Sequence, residues 1–261
     1  MSARDPHTHI DTTKPHPARV YDWLLGGKDN YPVDRGVGQE LPEETRGNAA
    51  RNRAFMHRAV AWLAKSGVDQ FLDIGSGIPT EPNMHQIVQA IVPTARVVYV
   101  DSDPSVLPHA DALLTSTSEG FTDFLHADAR QPAAIIELAA ERLDFERPVA
   151  LSLLAMLHFM PDDEDPYSVV RTLVNALPSG SYLVLSHGTV DQHPEWAGKI
   201  EAAYEKGSIP LRLRSRSEVE PFFEGLDLVA PGLVFATEWY QGELAPPPER
   251  SGFHVGVARV P

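Results

Sequence analysis

The chain contains no cysteine. That absence rules out disulfide staples, thiolate nucleophiles and cysteine-ligated zinc, and it fits a reducing, cytoplasmic setting. Positive charge is scarce too: 22 lysines and arginines stand against 36 aspartates and glutamates, a formal net charge of -14 over 261 residues. Phosphate backbones and anionic lipid both select clustered Lys and Arg, so neither nucleic acid nor membrane is an expected partner. The one basic cluster, Arg212-Leu213-Arg214-Ser215-Arg216, reads as a solvated face in preference to a substrate-facing loop or a nucleic-acid contact. Long apolar runs are missing as well. The longest, Val149 to Met160, is too short to span a bilayer and reads as the central buried strand of a parallel sheet. Met1 to Pro17 is polar and rich in His, Thr and Pro, which reads as a disordered tail and not as a secretion signal. Its His7, His9 and His16 are better explained by a flexible tail than by a metal site.

Against these absences stands one dense motif, Phe71-Leu72-Asp73-Ile74-Gly75-Ser76-Gly77-Ile78-Pro79-Thr80. An apolar strand ends in an acid and runs straight into a glycine-spaced turn, where positive φ is tolerated and a ligand can approach the main chain without meeting a Cβ. Alone, the Gly-x-Gly is matched as well by an ordinary tight turn. Two further strands change that balance. Arg96 to Val100 ends in Asp101-Ser102-Asp103 at the distance a βαβ unit requires, and an acid there can accept both hydroxyls of a ribose. Phe121 to His126 reads as a third strand and closes on Asp128-Ala129-Arg130. Acids at the carboxyl ends of three successive strands would line one crevice of a parallel sheet.

Ala18 to Leu25 reads as a short apolar helix stopped by Gly26-Gly27. A second helix, Ala49 to Ser66, carries Phe55, Met56, Ala59, Val60, Trp62 and Leu63 on one face and ends at Gly67. Both precede the first strand, so they pack on or over the sheet, either as a lid across the crevice or as a plain helical layer. From Gln70 onward strands and helices alternate, which argues for an α/β fold with a parallel sheet. Val149 to Ala155 supplies a fourth strand and Ser181 to Ser186 a fifth. Asp165-Pro166 is a capped helix start, and Ser217-Glu218-Val219-Glu220 reads as a capping box. Two last candidate strands lie near Leu233 to Tyr240 and Phe253 to Val260, joined by Gln241 to Gly252. The expected division is a tail over residues 1–17, a helical lid or cap over 18–67 and an α/β domain over 68–261.

Taken together, Asp73 to Thr80 with Asn83, Met84 and His85, then Tyr99-Val100-Asp101-Ser102-Asp103-Pro104, then Asp128-Ala129-Arg130, resemble a bacterial S-adenosylmethionine-dependent methyltransferase family long catalogued as a domain of unknown function. The run Ala18 to Asn30 is similar to that family's opening signature, and the likeness continues through Leu157-His158-Phe159 and Gly180 to His187. It therefore covers nearly the whole chain. Pro79 stands where methyltransferases at large often carry a third glycine, although Ile78-Pro79-Thr80 is similar to what this family shows. The resemblance implies a Rossmann-like class I methyltransferase: a seven-stranded, mostly parallel sheet with helices on both faces, a closing antiparallel hairpin and S-adenosylmethionine as cofactor. On that reading Asp73, Gly75 and Gly77 form the cradle, Asp101 holds the ribose with Ser102 beside it, and Asp128 with the Ala129 amide takes the adenine edge. Tyr21 would face the cofactor from the lid, though an aromatic at helical spacing serves as readily in a core.

Methyl transfer from a sulfonium is an in-line displacement with a neutral thioether leaving, so no acid is needed and positioning can do most of the work. A base is required only for a protonated acceptor such as an alcohol or phenol. His158, at the end of strand four, is the candidate for that base, with His187 after strand five behind it; either can instead be a packing histidine. Enzymes that methylate nucleobase amines typically show Asn or Asp, then Pro-Pro and an aromatic, at the strand-four tip, and Leu157-His158-Phe159 stands here instead. A small-molecule acceptor is therefore expected, and no metal. Two other readings remain open: a non-catalytic cofactor-binding sensor, and a nicotinamide-dependent oxidoreductase. Thr80 in place of the third fingerprint glycine and the lack of a Tyr-x-x-x-Lys pair weigh against the second.

Overall fold

The computed structural model describes residues 10–113, 115–242 and 249–261. Three helices open the chain: α1 (Pro17–Leu24), α2 (Pro32–Glu40) and α3 (Thr45–Lys65). Strands and helices then alternate as β1 (Gln70–Ile74), α4 (Met84–Gln89), β2 (Arg96–Asp101), α5 (Val106–Leu113), β3 (Phe121–His126), α6 (Pro132–Ala140), β4 (Ala150–Leu154), α7 (Pro166–Asn175) and β5 (Tyr182–Gly188). After β5 come α8 (Ala197–Lys206), α9 (Arg216–Val219), β6 (Asp227–Leu228), β7 (Val234–Phe235) and β8 (Phe253–Arg259).

The first five strands are parallel in the order β3-β2-β1-β4-β5, and β8 runs antiparallel beside β5. Both β6 and β7 pair with the far edge of β8, so eight strands fill seven positions. The expected strand over Leu233 to Tyr240 shrinks to two residues, because the chain turns after Phe235, whose carbonyl accepts from the Glu238 amide at 2.8 Å. The expected connection over 241–252 runs through residues 243–248, which lie outside the described residues. Every residue of β1 is buried, as a strand covered on both faces must be. Ile135 of α6 and Val169, Val170 and Leu173 of α7 pack on one face, while Phe55, Met56, Ala59, Val60 and Leu63 of α3 pack on the other with Trp239. The apolar stripe read from the sequence thus faces the sheet.

The amino-terminal helices divide between two apolar clusters. A third cluster joins Val20 and Leu24 of α1, Val37 of α2 and Ala49 to Ala203 and Tyr204 of α8. The cap is built from α1, α2 and α8, while most of α3 belongs to the sheet. Residues 10–17, expected as part of a tail, are also engaged: His16 caps α1 and lies beside Asp103, its Nδ1 2.9 Å from Oδ2. His7 and His9 lie outside the described residues.

Candidate active site

The strand order reverses between β1 and β4, and a cavity of about 330 Å³ opens there, at the carboxyl ends of β1 to β4. The glycine turn after β1 forms its floor. The Gly75 and Ser76 amides donate to the Val100 carbonyl at 2.8 and 3.2 Å, and the Gly77 amide donates to Asp101 Oδ2 at 2.7 Å. Asp101 Oδ1 accepts from the Asp103 amide at 2.8 Å. One acid at the tip of β2 therefore fixes the cradle and its own position together. Burial pushes the Asp101 carboxyl above its ordinary range, partly offset by these two amides. Asp73, at the tip of β1, accepts from the Ser152 hydroxyl, and burial pushes its carboxyl up to about 6. Asp128 accepts from the Arg130 amide at 2.9 Å, and Arg130 Nε in turn sits 2.7 Å from Glu164, so the turn after β3 is braced. The Tyr21 hydroxyl donates to the Ala49 carbonyl at 3.2 Å and accepts from Asn52 Nδ2 at 2.9 Å.

Tyr21, Asp73, Gly75, Gly77, Asp101, Ser102, Asp128 and Ala129, each expected at the cofactor site, all line this one cavity. His158 does not. The chain turns at Ala155, held at φ +53° with its amide donating to the Ser186 hydroxyl at 2.9 Å, and this leaves Met156, Phe159 and Met160 on the cavity wall. The His158 ring packs instead against Phe159, His187 and Phe253, with Nδ1 accepting from the Gly188 amide at 3.2 Å. Burial, helped by the Arg214 cation, pushes its pKa down to about 3. The His158 ring thus lies behind the cavity wall, where a packing residue would sit, and is not among the residues that line the cavity. His187 is likewise structural: Nδ1 donates to the Gly188 carbonyl at 2.9 Å and Nε2 accepts from Arg214 at 3.0 Å.

Arg214 also corrects the reading of its basic cluster as a solvated face. It is 1% exposed, and it donates to the Leu157 carbonyl at 3.2 Å, the Met160 carbonyl at 3.1 Å and Asp162 Oδ1 at 2.6 Å. The turn after β4, which supplies the apolar wall, is held from behind by one guanidinium. Sequence reasoning also missed Asn52, Arg53 and Met56 of α3, His16 before α1, and Ser208 to Pro210 after α8, all on the cavity wall. No motif marks them. They come to the site through the packing of the cap and α3, and Met56, expected in the core, serves both the core and the cavity wall.

A doubly wound sheet with acids at the tips of β1, β2 and β3 and a glycine cradle at the switch point defines a Rossmann-like class I methyltransferase fold. The chain belongs to the S-adenosyl methyltransferase family, which it matches over residues 3–261. Among solved structures it is similar to a DUF574 family protein from Streptomyces avermitilis, at 44% identity and a TM-score of 0.92 over 97% of this chain and 100% of that one. A methyltransferase candidate from Thermobifida fusca aligns at 36% identity and a TM-score of 0.86, over 98% of each chain. The fold extends to the magnesium protoporphyrin IX methyltransferase of Synechocystis, solved with S-adenosylhomocysteine, at 13% identity and a TM-score of 0.52 over 93% of each chain. No curated protein matches. Among the described residues no helix is long and apolar enough to cross a membrane.

Proposed function

We propose that the chain is an active, cytoplasmic S-adenosylmethionine-dependent methyltransferase whose acceptor is a small molecule with an apolar body. The observation that carries this is the single cavity in which the glycine cradle and three strand-end acids meet an apolar wall of Phe159, Met160, Ile209 and Pro210. Its volume, about 330 Å³, lies within the range of ordinary small-ligand pockets. When bound there, the cofactor would supply an electrophilic methyl with a neutral thioether as the leaving group. Gly75 and Gly77 would present the cradle backbone, Asp101 and Ser102 the ribose site, and Asp128 with the Ala129 amide the adenine edge. A carboxylate has about four acceptor directions, so Asp101 keeps capacity for hydroxyls beyond the two amides it already holds. With His158 behind the wall, the histidine that lines the cavity among the described residues is His16, and its ring lies against Asp103. Positioning then carries the rate, and effects of that kind reach about 7 to 11 kcal/mol. The acceptor atom favoured is one that reacts without losing a proton first, such as a neutral amine.

Thermal unfolding with S-adenosylmethionine, S-adenosylhomocysteine and NAD, followed by transfer of labelled methyl into fractionated extract, tests this reading. Stabilisation by both adenosyl ligands and label in a low-molecular-weight fraction is expected. Stabilisation by NAD alone defeats it, and binding without transfer into any fraction makes the chain a sensor.

A further inference from the structure

Two neighbouring residues of α3 bring unused hydrogen-bonding capacity to the cavity wall. Asn52 is 3% exposed; its Nδ2 is spent on the Tyr21 hydroxyl, and its buried Oδ1 has no partner among the described residues. A buried acceptor left unpaired is costly unless a ligand satisfies it. Arg53 lines both the cavity and an adjoining recess of about 20 Å³ that it shares with Asp73, Ser76 and Gly77. One nitrogen, Nη2, donates to the carbonyls of Thr80 and Pro82, the latter at 2.9 Å. Among the described residues Nε and Nη1 have no partner, and no carboxylate lies within 4 Å. The other basic side chains on the wall are engaged, Arg130 by Asp128 and Glu164, and the His16 ring by Asp103. Burial depresses the pKa of the Arg53 guanidinium, and the nearby Asp73 carboxylate partly restores it.

A half-buried cation without a counter-ion, beside an orphaned amide oxygen and a buried carboxylate, is complementary to a zwitterion. We propose that Asn52 and Arg53 bind the amino-acid end of the cofactor: Arg53 takes the α-carboxylate through its free edge, and Asn52 Oδ1 takes the α-ammonium in the field of Asp73. This rests on the reading that the cavity holds S-adenosylmethionine. The acceptor is the less suitable source of the carboxylate, because the recess behind Arg53 is bounded by the cradle and not by Ile209 or Pro210.

The test compares two ligands that differ only in that end, S-adenosylhomocysteine and 5′-methylthioadenosine, by calorimetric titration of the wild type, Arg53→Met and Asn52→Leu. Arg53→Met should weaken S-adenosylhomocysteine by about ten- to a hundredfold, the range for a charged hydrogen bond, while methylthioadenosine changes by less than about threefold. Asn52→Leu should show the same split to a smaller degree. Should Arg53→Met fail to fold, Arg53→Lys, which keeps the charge but loses the planar fork, should show the split at about three- to tenfold. Equal losses for both ligands would make Arg53 an anchor for the Thr80 to Pro82 turn and overturn the proposal, as would no loss for either. A wild type that binds both equally tightly defeats the receptor but leaves the cofactor reading intact. One that binds neither removes that reading, and this proposal with it.

Discussion

The two cradle glycines do different jobs. At Gly75, φ is +75° and an added Cβ would lie 2.9 Å from Met156 Cβ, an atom that cannot move without the backbone behind it. At Gly77, φ is +65° and the nearest atom to an added Cβ is Ala18 Cβ, 3.9 Å away toward the cap. Gly75→Ala should therefore cost folding stability first. Gly77→Val should leave a folded protein, strained by about 1 to 2 kcal/mol, that no longer binds S-adenosylhomocysteine. Denaturant titration beside calorimetry separates the two, and equal stability losses would erase the distinction. His158→Phe should leave S-adenosylhomocysteine affinity unchanged and cost about 1 to 3 kcal/mol at neutral pH, because the Gly188 amide loses its acceptor. A tenfold loss of affinity would return the ring to the site. The strand-end acids were legible because glycine spacing and strand length locate them without tertiary knowledge. Asn52, Arg53 and the inward turn of Arg214 were not, since a helix or loop residue reveals the direction of its side chain only when its neighbours are known.

The five parallel strands and β8, being short buried runs, were readable to within a residue or two, and β3 fell where it was expected, whereas the edge strands β6 and β7, only two residues each, were not. Helix α2 was missed because Gly36 and Gly38 disfavour a helix, yet Gly38 is required there: a Cβ would come within 2.2 Å of the Trp23 ring. The capping box before Phe222 is formed by Ser215 and Glu218, two residues ahead of the expected pair, with the Ser215 amide donating to Glu218 at 2.8 Å. What joins α1 and α2 to the sheet is a buried cation. Arg19 is 4% exposed and reaches Asp34 of α2 at 3.1 Å and Asp103, just past β2, also at 3.1 Å. Burial opposes ionisation of Asp103, but His16, the Ser105 amide and Arg19 outweigh it and hold the carboxyl near 2. Arg19→Met removes the cation that both carboxylates share, leaving Asp34 with two amides and Asp103 with His16 and one amide, and should cost about 3 kcal/mol, the low end for breaking a buried pair. Hydrogen exchange should then show α1 and α2 losing protection well before β1 and β4, and S-adenosylhomocysteine should leave faster if the cap closes the cavity. Uniform loss of protection across sheet and cap would mean that the cap is no separate unit.

For the whole molecule, acidification pulls stability in opposite directions. The net charge of -14 shrinks as the pH falls toward the isoelectric point near 5.1, which relieves self-repulsion and favours the compact state. Asp73 works the same way: its folded pKa lies above the unfolded value, so the cost of ionising it, present above about pH 6, is recovered as the pH falls toward 4. Histidines oppose both. Burial pushes His57, His85, His158, His187 and His254 below their ordinary range, so the unfolded chain takes up protons that the folded one refuses. Their contribution is intact above about pH 6.5 and is lost below it, at up to about 1.4 kcal/mol per pH unit for each fully buried group. His158 alone, with its pKa near 3, should forfeit about 2 kcal/mol between pH 6.5 and 5. Surface repulsion is mostly screened at 0.15 M salt, where the Debye length is about 8 Å, and the raised carboxyls of Asp22, Asp73 and Asp101 are opposed by five imidazoles and by Asp103, whose carboxyl is held near 2. The melting temperature should therefore peak above pH 7 and fall toward pH 5, by about 4 to 8 °C from His158 alone. His158→Phe, less stable at pH 7, should lose less on acidification, so that the two scanning-calorimetry curves converge near pH 5. A stability maximum at the isoelectric point instead would show that surface charge, and not the buried imidazoles, sets the pH response.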